Sequence, residues 1–282
     1  MSVLAGSPLL SAADFRRISA LAREQFGLSL PAGKEELVAA RLGRKIREGK
    51  FRGFEDYFHY VVNDRTGEAL IALIDSLTTN HTAFFREPAH FDFLRAAATG
   101  EFREAPSLRV WSAACSSGEE PYSIAMTLLD AARQERCRWA GDIGIVASDI
   151  STRVLATAQA AIYEADRLAA MPDAWRRVFL LKGAGSRAGW FRLKPAVRDL
   201  VAFERLNLIE TLPRRAFHFL FCRNVMIYFD KTTQQQIVSR LVECLEPGGY
   251  FFVGHSETLN GIDHPLAYVR PATYRQPKRR RT

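Results

Sequence analysis

Apolar residues in the first quarter of the chain recur at helical rather than strand spacing. Phe15, Ile18, Leu21 and Phe26 fall near a 3.6-residue period; Ser11 can cap this helix with Asp14 three positions on, and Gly27 and Pro31 interrupt it. A second helix is predicted from Glu35 to Glu48. It places Leu37, Val38, Leu42 and Ile46 on one side and spreads Arg41, Arg44, Lys45 and Arg47 over the rest, so its exposed face is strongly basic. Further helical segments follow around 54–62 and 67–76. The expectation is a small all-α N-terminal domain over residues 1–76.

From residue 107 the pattern becomes short apolar runs alternating with amphipathic helical stretches. Leu108–Trp111, Ile143–Val146, Phe217–Phe221 and Tyr250–Val253 read as buried strands, with helices predicted over about 119–135, 151–160 and 231–245. Such alternation predicts an α/β domain with a mostly parallel sheet and helices on both faces. Ligands of such sheets bind at the carboxyl ends of the strands, which directs attention to the residues just after each run. One stretch breaks the alternation. Gly183, Gly185 and Gly189 lie between Val178–Leu181 and Trp190–Leu193, which predicts a small antiparallel insertion at about 175–199, before Leu200–Phe203 returns to the main sheet.

Composition narrows the class. The chain has 282 residues, of which 48% are hydrophobic, with 19 Phe, 8 Tyr and 4 Trp, which excludes a disordered chain and suits a large domain with a small companion. No apolar run reaches the roughly 18 residues of a spanning helix. The first ten residues carry no basic stretch ahead of their apolar ones, so the expected location is cytoplasmic. Cys115, Cys137, Cys222 and Cys244 are far apart and form no metal-ligand pair, so neither a disulfide framework nor zinc is expected. Lys and Arg number 39 against 31 Asp and Glu, a formal charge of +8, half of it carried by Lys278, Arg279, Arg280 and Arg281. That balance points to an anionic partner and leaves nucleic acid, an acidic membrane and an acidic protein open.

Two strand ends carry candidate chemistry. Ser112–Pro121 follows the first strand and is built of small residues, which let a ligand approach the backbone, although only Gly118 is glycine. Glu119 and Glu120 there would oppose a pyrophosphate and suit a cationic ligand, such as the sulfonium and amino groups of S-adenosylmethionine; taken alone, the loop fits an ordinary turn with acids at a helix start better. Asp149 ends the second strand, where a carboxylate can accept both hydroxyls of a ribose or cap the helix that starts near Ser151.

Five stretches, in order, resemble CheR, the chemoreceptor methyltransferase family: Thr78–Glu87, Trp111–Ser123, Ala147–Ile150, Phe221–Asp230 and Pro247–Glu257. The likeness runs from about residue 12 to 275. It implies a Rossmann-like class I S-adenosylmethionine-dependent methyltransferase domain over 93–282 with a small antiparallel β-subdomain insertion, a linker at 77–92 contributing to the cofactor site, and the helical domain ahead of them. The activity implied is methylation of glutamate side chains on chemoreceptor cytoplasmic helices, giving γ-glutamyl methyl esters and S-adenosylhomocysteine. Carried over by motif, Asn80, Thr82 and Arg86 of the linker contact the cofactor. Glu120 holds its methionine part, with the adjacent Glu119 as the alternative. Asp149 holds the ribose, Asn207 and Leu208 flank the adenine, and Arg223 and Asn224 form the substrate-side rim. Phe84 and Phe85 read as packing anchors.

The acceptor carboxylate is ionised at neutral pH, so no general base is required, and Arg86, Arg223 and Tyr228 are candidates to orient it. The resemblance also implies that Arg41, Arg44, Lys45 and Arg47 dock on the acidic receptor bundle, and that the inserted hairpin can take a receptor C-terminal tail peptide. A monomer is expected, with no membrane insertion. Nucleic acid methylation is the competing reading of the charge; against it, Cys222–Tyr228 lacks the Asn/Asp-Pro-Pro-Tyr-like loop of base-amino methylation. His81, His255 and His264 show no ligand spacing, and no metal is expected.

Overall fold

The computed structural model describes residues 9–79, 81–210, 212 and 215–278. The chain divides into two units, the smaller comprising the residues up to 80 together with 228–233, the larger the remainder.

Among its described residues the smaller unit holds four helices: α1 (Ala12–Phe26), α2 (Glu35–Glu48), α3 (Phe54–Asn63) and α4 (Glu68–Leu77). Ser11 caps α1 as its sequence announces, its hydroxyl accepting from the Asp14 amide at 3.0 Å. Gly27 stops the helix in the left-handed conformation, with φ 71°, and its amide returns to the Arg23 carbonyl at 2.8 Å. Phe15, Ile18, Ala22 and Phe26 of α1, and Val38, Leu42 and Ile46 of α2, are buried. Leu37 departs from the expected stripe: it is 38% exposed, because it lies about 140° round the helix from Leu42. Residues 228–233 join this unit through a Leu28–Phe229 bridge, a hydrogen bond from Ser29 N to the Tyr228 carbonyl at 2.8 Å, and an Arg23–Asp230 ion pair at 2.6 Å.

In the larger unit α5 (Ala89–Thr99) precedes β1 (Leu108–Ala113), α6 (Glu119–Gln134), β2 (Ile143–Asp149), α7 (Thr152–Ala160) and β3 (Ile162–Glu164). There follow α8 (Asp173–Phe179), β4 (Leu180–Lys182), β5 (Trp190–Leu193), α9 (Pro195–Arg198), β6 (Val201–Arg205), β7 (Phe217–Cys222), α10 (Lys231–Glu243), β8 (Leu245–Phe252), β9 (Ala267–Arg270) and β10 (Thr273–Arg275). Seven strands form one sheet in the order β6-β2-β1-β7-β8-β10-β9. The pairs from β6 through β8 are parallel, and β10 closes antiparallel on β8. The order reverses direction between β1 and β7, which makes their carboxyl ends the switch point where such sheets bind ligands. The mostly parallel sheet expected from the alternation of runs, and the Rossmann-like architecture that the resemblance implies, are thus present.

The core is aromatic. Phe221 and Phe252 stack with centroids 4.2 Å apart and Trp111 is fully buried, its indole N–H donating to Ser148 Oγ at 2.9 Å. β3, β5 and β4 make a separate antiparallel sheet. Its first strand lies at Ile162, upstream of the expected insertion. Val178, read as strand, instead ends a helix: Trp175 and Phe179, four apart on α8, pack edge to face at 5.5 Å, and the strand starts only at Leu180. Gly183 is required in the turn, since a Cβ there would lie 2.1 Å from the Arg187 carbonyl oxygen. Among the described residues no helix is long and apolar enough to cross a membrane.

Candidate active site

Register brings the strand-end loops of the larger unit to one edge. Ala113 pairs with both Ser148 and Cys222, and Asp149 with Arg205, so the chain leaves β1, β2, β6 and β7 at one level. Loops 114–118, 149–151, 206–208 and 223–226 therefore converge.

The first loop is held by main-chain contacts. Ala114 and Ser116 take positive φ values of 60° and 50°, ahead of Gly118 at 95°. At Gly118 any side chain would collide, with Ala158 Cβ at 2.8 Å and Tyr163 Oη at 2.9 Å from an added Cβ. The Ser116 amide donates to Asp149 Oδ2 at 2.8 Å, and Asp149 Oδ1 accepts from the Ser151 amide at 3.0 Å. Of the two readings of Asp149, the helix cap belongs to Ser151, whose hydroxyl accepts from Val154 N. Asp149 ties the first loop to the end of β2. Its main-chain carbonyl also accepts from Leu206 N at 3.0 Å, which sets Asn207 and Leu208, both buried, beside it. The Asn207 amide group donates to Glu210 at 3.2 Å and accepts from Ile209 N.

The two adjacent acids part company at the start of α6. Glu119 is fully buried, accepts from Ser117 Oγ at 2.7 Å and lies 3.4 Å from Arg167. Glu120 turns to the strand ends, accepting from Ser112 Oγ at 2.7 Å and from Arg223 Nη1 at 2.8 Å. Arg223, just past β7, has a side chain only 2% exposed. Its other terminal nitrogen donates to Glu87 Oε2 at 2.8 Å and to the Arg86 carbonyl at 2.6 Å. One guanidinium thus lies between two carboxylates. Burial pushes the Glu120 carboxyl above the usual carboxylate range, against the pull of Arg223 and Ser112. Burial acts the same way on Glu87, but the Arg223 hydrogen bond and charge outweigh it and hold Glu87 below that range.

Arg86 donates to the His81 carbonyl at 2.8 Å, and the Thr82 carbonyl accepts from Arg167 at 3.4 Å. Asn80 lies outside the described residues. Asn224 has φ 58°, and its amide meets Glu257 Oε2 at 2.7 Å. The same oxygen accepts from Gly254 N at 2.6 Å, and Glu257 Oε1 from Met226 N at 2.8 Å. Tyr228 belongs to the smaller unit, where its hydroxyl bonds the main-chain N and O of Thr79, each at 3.0 Å. Arg41 is turned inward, donating to the Leu77 carbonyl at the end of α4 and to Thr79 Oγ1 at 2.7 Å, while Arg44, Lys45 and Arg47 are exposed.

Glu87 and Glu257 are the residues that sequence reasoning missed, although both stand inside stretches that it singled out. Glu87, His90 and His255 bring one ligand atom each within 4.8 Å of one another. Both Glu87 oxygens are already engaged, by Arg223 and by His255 N at 3.1 Å, and a dication there would meet the guanidinium. His90 is buried with neither ring nitrogen hydrogen-bonded, and burial, with Arg223 nearby, depresses its pKa to about 3, so it is neutral. Cys115 and Cys222 are buried and their thiols are pushed well up, which leaves them as packing groups.

Residues 80–274 match the family described as CheR methyltransferase, SAM binding domain, and residues 13–78 match the CheR methyltransferase, all-alpha domain. The chain belongs to the CheR methyltransferase family. Chemotaxis protein methyltransferase 2 of Pseudomonas aeruginosa is 40% identical over 93% of this chain and 92% of its own length. The chemotaxis protein methyltransferases of Klebsiella aerogenes and Escherichia coli are each 42% identical, over 94% and 90% of this chain and 89% and 87% of their own. As a CheR methyltransferase, the chain is an enzyme that uses S-adenosylmethionine. The acid-rich loop fits that cofactor: its Glu120 carboxylate, at the strand ends, suits a ligand that carries an ammonium and a sulfonium, while Gly118 lets the loop pack against Ala158 and Tyr163.

Proposed function

We propose that this chain methylates glutamate side chains on the cytoplasmic helices of chemoreceptors, forming γ-glutamyl methyl esters and S-adenosylhomocysteine in sensory adaptation. The observation that carries the reading is the convergence of Glu120, Asp149, Asn207 and Arg223 at the switch point of a CheR-family sheet. When bound, S-adenosylmethionine supplies a methyl group activated by its sulfonium. Glu120 accepts the cofactor's ammonium. Asp149, at the end of β2 and tied to the first loop, accepts the ribose hydroxyls. Asn207 and Leu208 flank the adenine, and Thr82, Arg86 and Asn224 complete the enclosure. Arg223 acts on the cofactor through Glu120, to which its Nη1 donates, while its Nη2 is held by Glu87 and the Arg86 carbonyl.

Transfer to the acceptor oxygen would release S-adenosylhomocysteine and would need no proton removed, because the acceptor carboxylate is already ionised. The protein's task is alignment and exclusion of water, since a carboxylate and a sulfonium neutralise each other in the transition state. Arg86 orients the incoming carboxylate. The exposed Arg44, Lys45 and Arg47 of α2 dock an acidic receptor bundle, and the small sheet, whose edge strand β4 leaves Leu181 50% exposed, takes a receptor tail peptide. The enzyme works in the cytoplasm as a monomer.

The test is transfer of labelled methyl groups to receptor-bearing membranes of the same cell, followed by mild alkali. Volatile methanol is expected. Label that survives alkali, or that appears on RNA instead, refutes the assignment.

A further inference from the structure

Among the described residues, Ile227 is the one large apolar side chain that the strand-end loops of the larger unit leave open to solvent, at 58% exposure. The other exposed large hydrophobics of that unit lie on α8, on the small sheet or on the edge strand β9. A lone exposed isoleucine means little on an ordinary surface loop. This one is carried on clamped main chain at the end of the loop that follows β7. Glu257 accepts from the amides of Asn224 at 2.7 Å and Met226 at 2.8 Å, and the Met226 carbonyl accepts from Gln234 Nε2 at 2.8 Å. Inside the clamp Asn224 holds a left-handed φ of 58°, and the Met226 side chain is buried. With Met226 turned in, Ile227 is turned out.

Strand order says what approaches it. The residues assigned to the cofactor follow one half of the sheet: Asn207 comes after β6, Asp149 ends β2 and Glu120 comes after β1. Adenine, ribose and the methionine part are therefore laid out from β6 toward β1. The edge beyond β1 begins with the loop after β7 and is left for the acceptor. We propose that Ile227 is a docking residue for the methyl acceptor: it packs against apolar side chains that flank the acceptor glutamate on the receptor helix. Covering it expels water beside the reacting carboxylate, where a carboxylate and a sulfonium neutralise each other. It also discriminates. A cationic side chain attracts any carboxylate, whereas an exposed isoleucine rewards only one that arrives with apolar surface around it, so free glutamate and isolated surface acids are poorer acceptors.

The inference rests on the receptor-glutamate reading, and steady-state methylation of receptor-bearing membranes by the full chain tests it. Ile227→Ala should raise the receptor KM about five- to tenfold, through the apolar area lost at the contact, with kcat within about twofold. Ile227→Asp, which sets a like charge beside the acceptor, should raise KM further. Ile227→Leu, which keeps the apolar area, should return KM to within about twofold of wild type. Because the side chain is exposed, calorimetric affinity for S-adenosylmethionine and the unfolding midpoint should match wild type in all three. A receptor KM that Ile227→Ala and Ile227→Asp leave within about twofold overturns the docking role while receptor methylation stands. A joint loss of kcat, cofactor affinity and thermal stability marks a structural role and overturns it too. If the wild type places no alkali-labile methyl on receptors, the receptor-glutamate reading falls and takes the inference with it.

Discussion

Replacing Arg223 by Met would remove the one cation between Glu87 and Glu120 while keeping much of its volume, so the cost is mainly electrostatic. The side chains are 2%, 13% and 12% exposed, which leaves the two carboxylates facing each other with little water. Removing one partner of a buried, hydrogen-bonded ion pair costs about 3–5 kcal/mol. At about 2–4 °C per kcal/mol for a protein of this size, the midpoint of thermal unfolding should fall by roughly 6–20 °C near neutral pH.

The pH dependence makes the prediction specific. In the wild type Glu87 is held below its unfolded value, so it contributes stability that is present above that value and is lost as pH falls through the folded one. Glu120 is raised and contributes in the opposite sense, gaining stability as pH falls toward its unfolded value. Without Arg223 both groups are raised. The variant should then recover stability relative to wild type as pH drops from about 7.5 to about 5, above the ordinary carboxylate pKa of about 4.3. The measurement is calorimetric or circular-dichroism melting of both proteins across that range. A cost under about 1 kcal/mol, or a deficit that does not shrink with acid, refutes the buried three-membered cluster.

Gly118→Ala should cost about 2–4 kcal/mol, combining the left-handed penalty with contacts under 3 Å to Ala158 and Tyr163, and should weaken cofactor binding; urea denaturation and calorimetry read the two effects. Charge reversal of Arg44, Lys45 and Arg47 to Glu should depress receptor methylation by an order of magnitude or more while cofactor affinity stays within about twofold; equal methylation would remove α2 from the docking surface. Arg41 is left out of that variant because it holds the end of α4.

What could be read in advance followed from local pattern. The α1 cap and stop, the parallel strands and the acid-bearing loop after β1 are written in consecutive residues, and the structure places them accordingly. What escaped has a tertiary cause. β3 is three residues long, too short for any alternation to register, and exists only because β5 pairs with it. Val178 ends a helix because two aromatic residues found each other on one face of α8. Glu87, standing just before a proline at a helix start, looks like an acid placed for the helix dipole, and its partner Arg223 is 136 residues away. Glu257 is an ordinary loop acid until three main-chain amides are seen to point at it. Arg41 lies among exposed arginines of α2, yet its guanidinium reaches a carbonyl on another helix, which helical periodicity does not report.

The two acids that organise the strand-end loops have an evolutionary consequence. Asp149 and Glu257 grip amides of Ser116, Ser151, Asn224, Gly254 and Met226, and an amide belongs to every residue except proline. At Met226 the gripped amide can therefore survive any substitution but proline, whereas Gly254, where an added Cβ would lie 2.2 Å from Asn224 and 2.8 Å from Glu257, and the gripping acids themselves have no such latitude. Lineages descending from this enzyme therefore inherit the strand-end frame through two carboxylates, each of which fixes several loop amides at once.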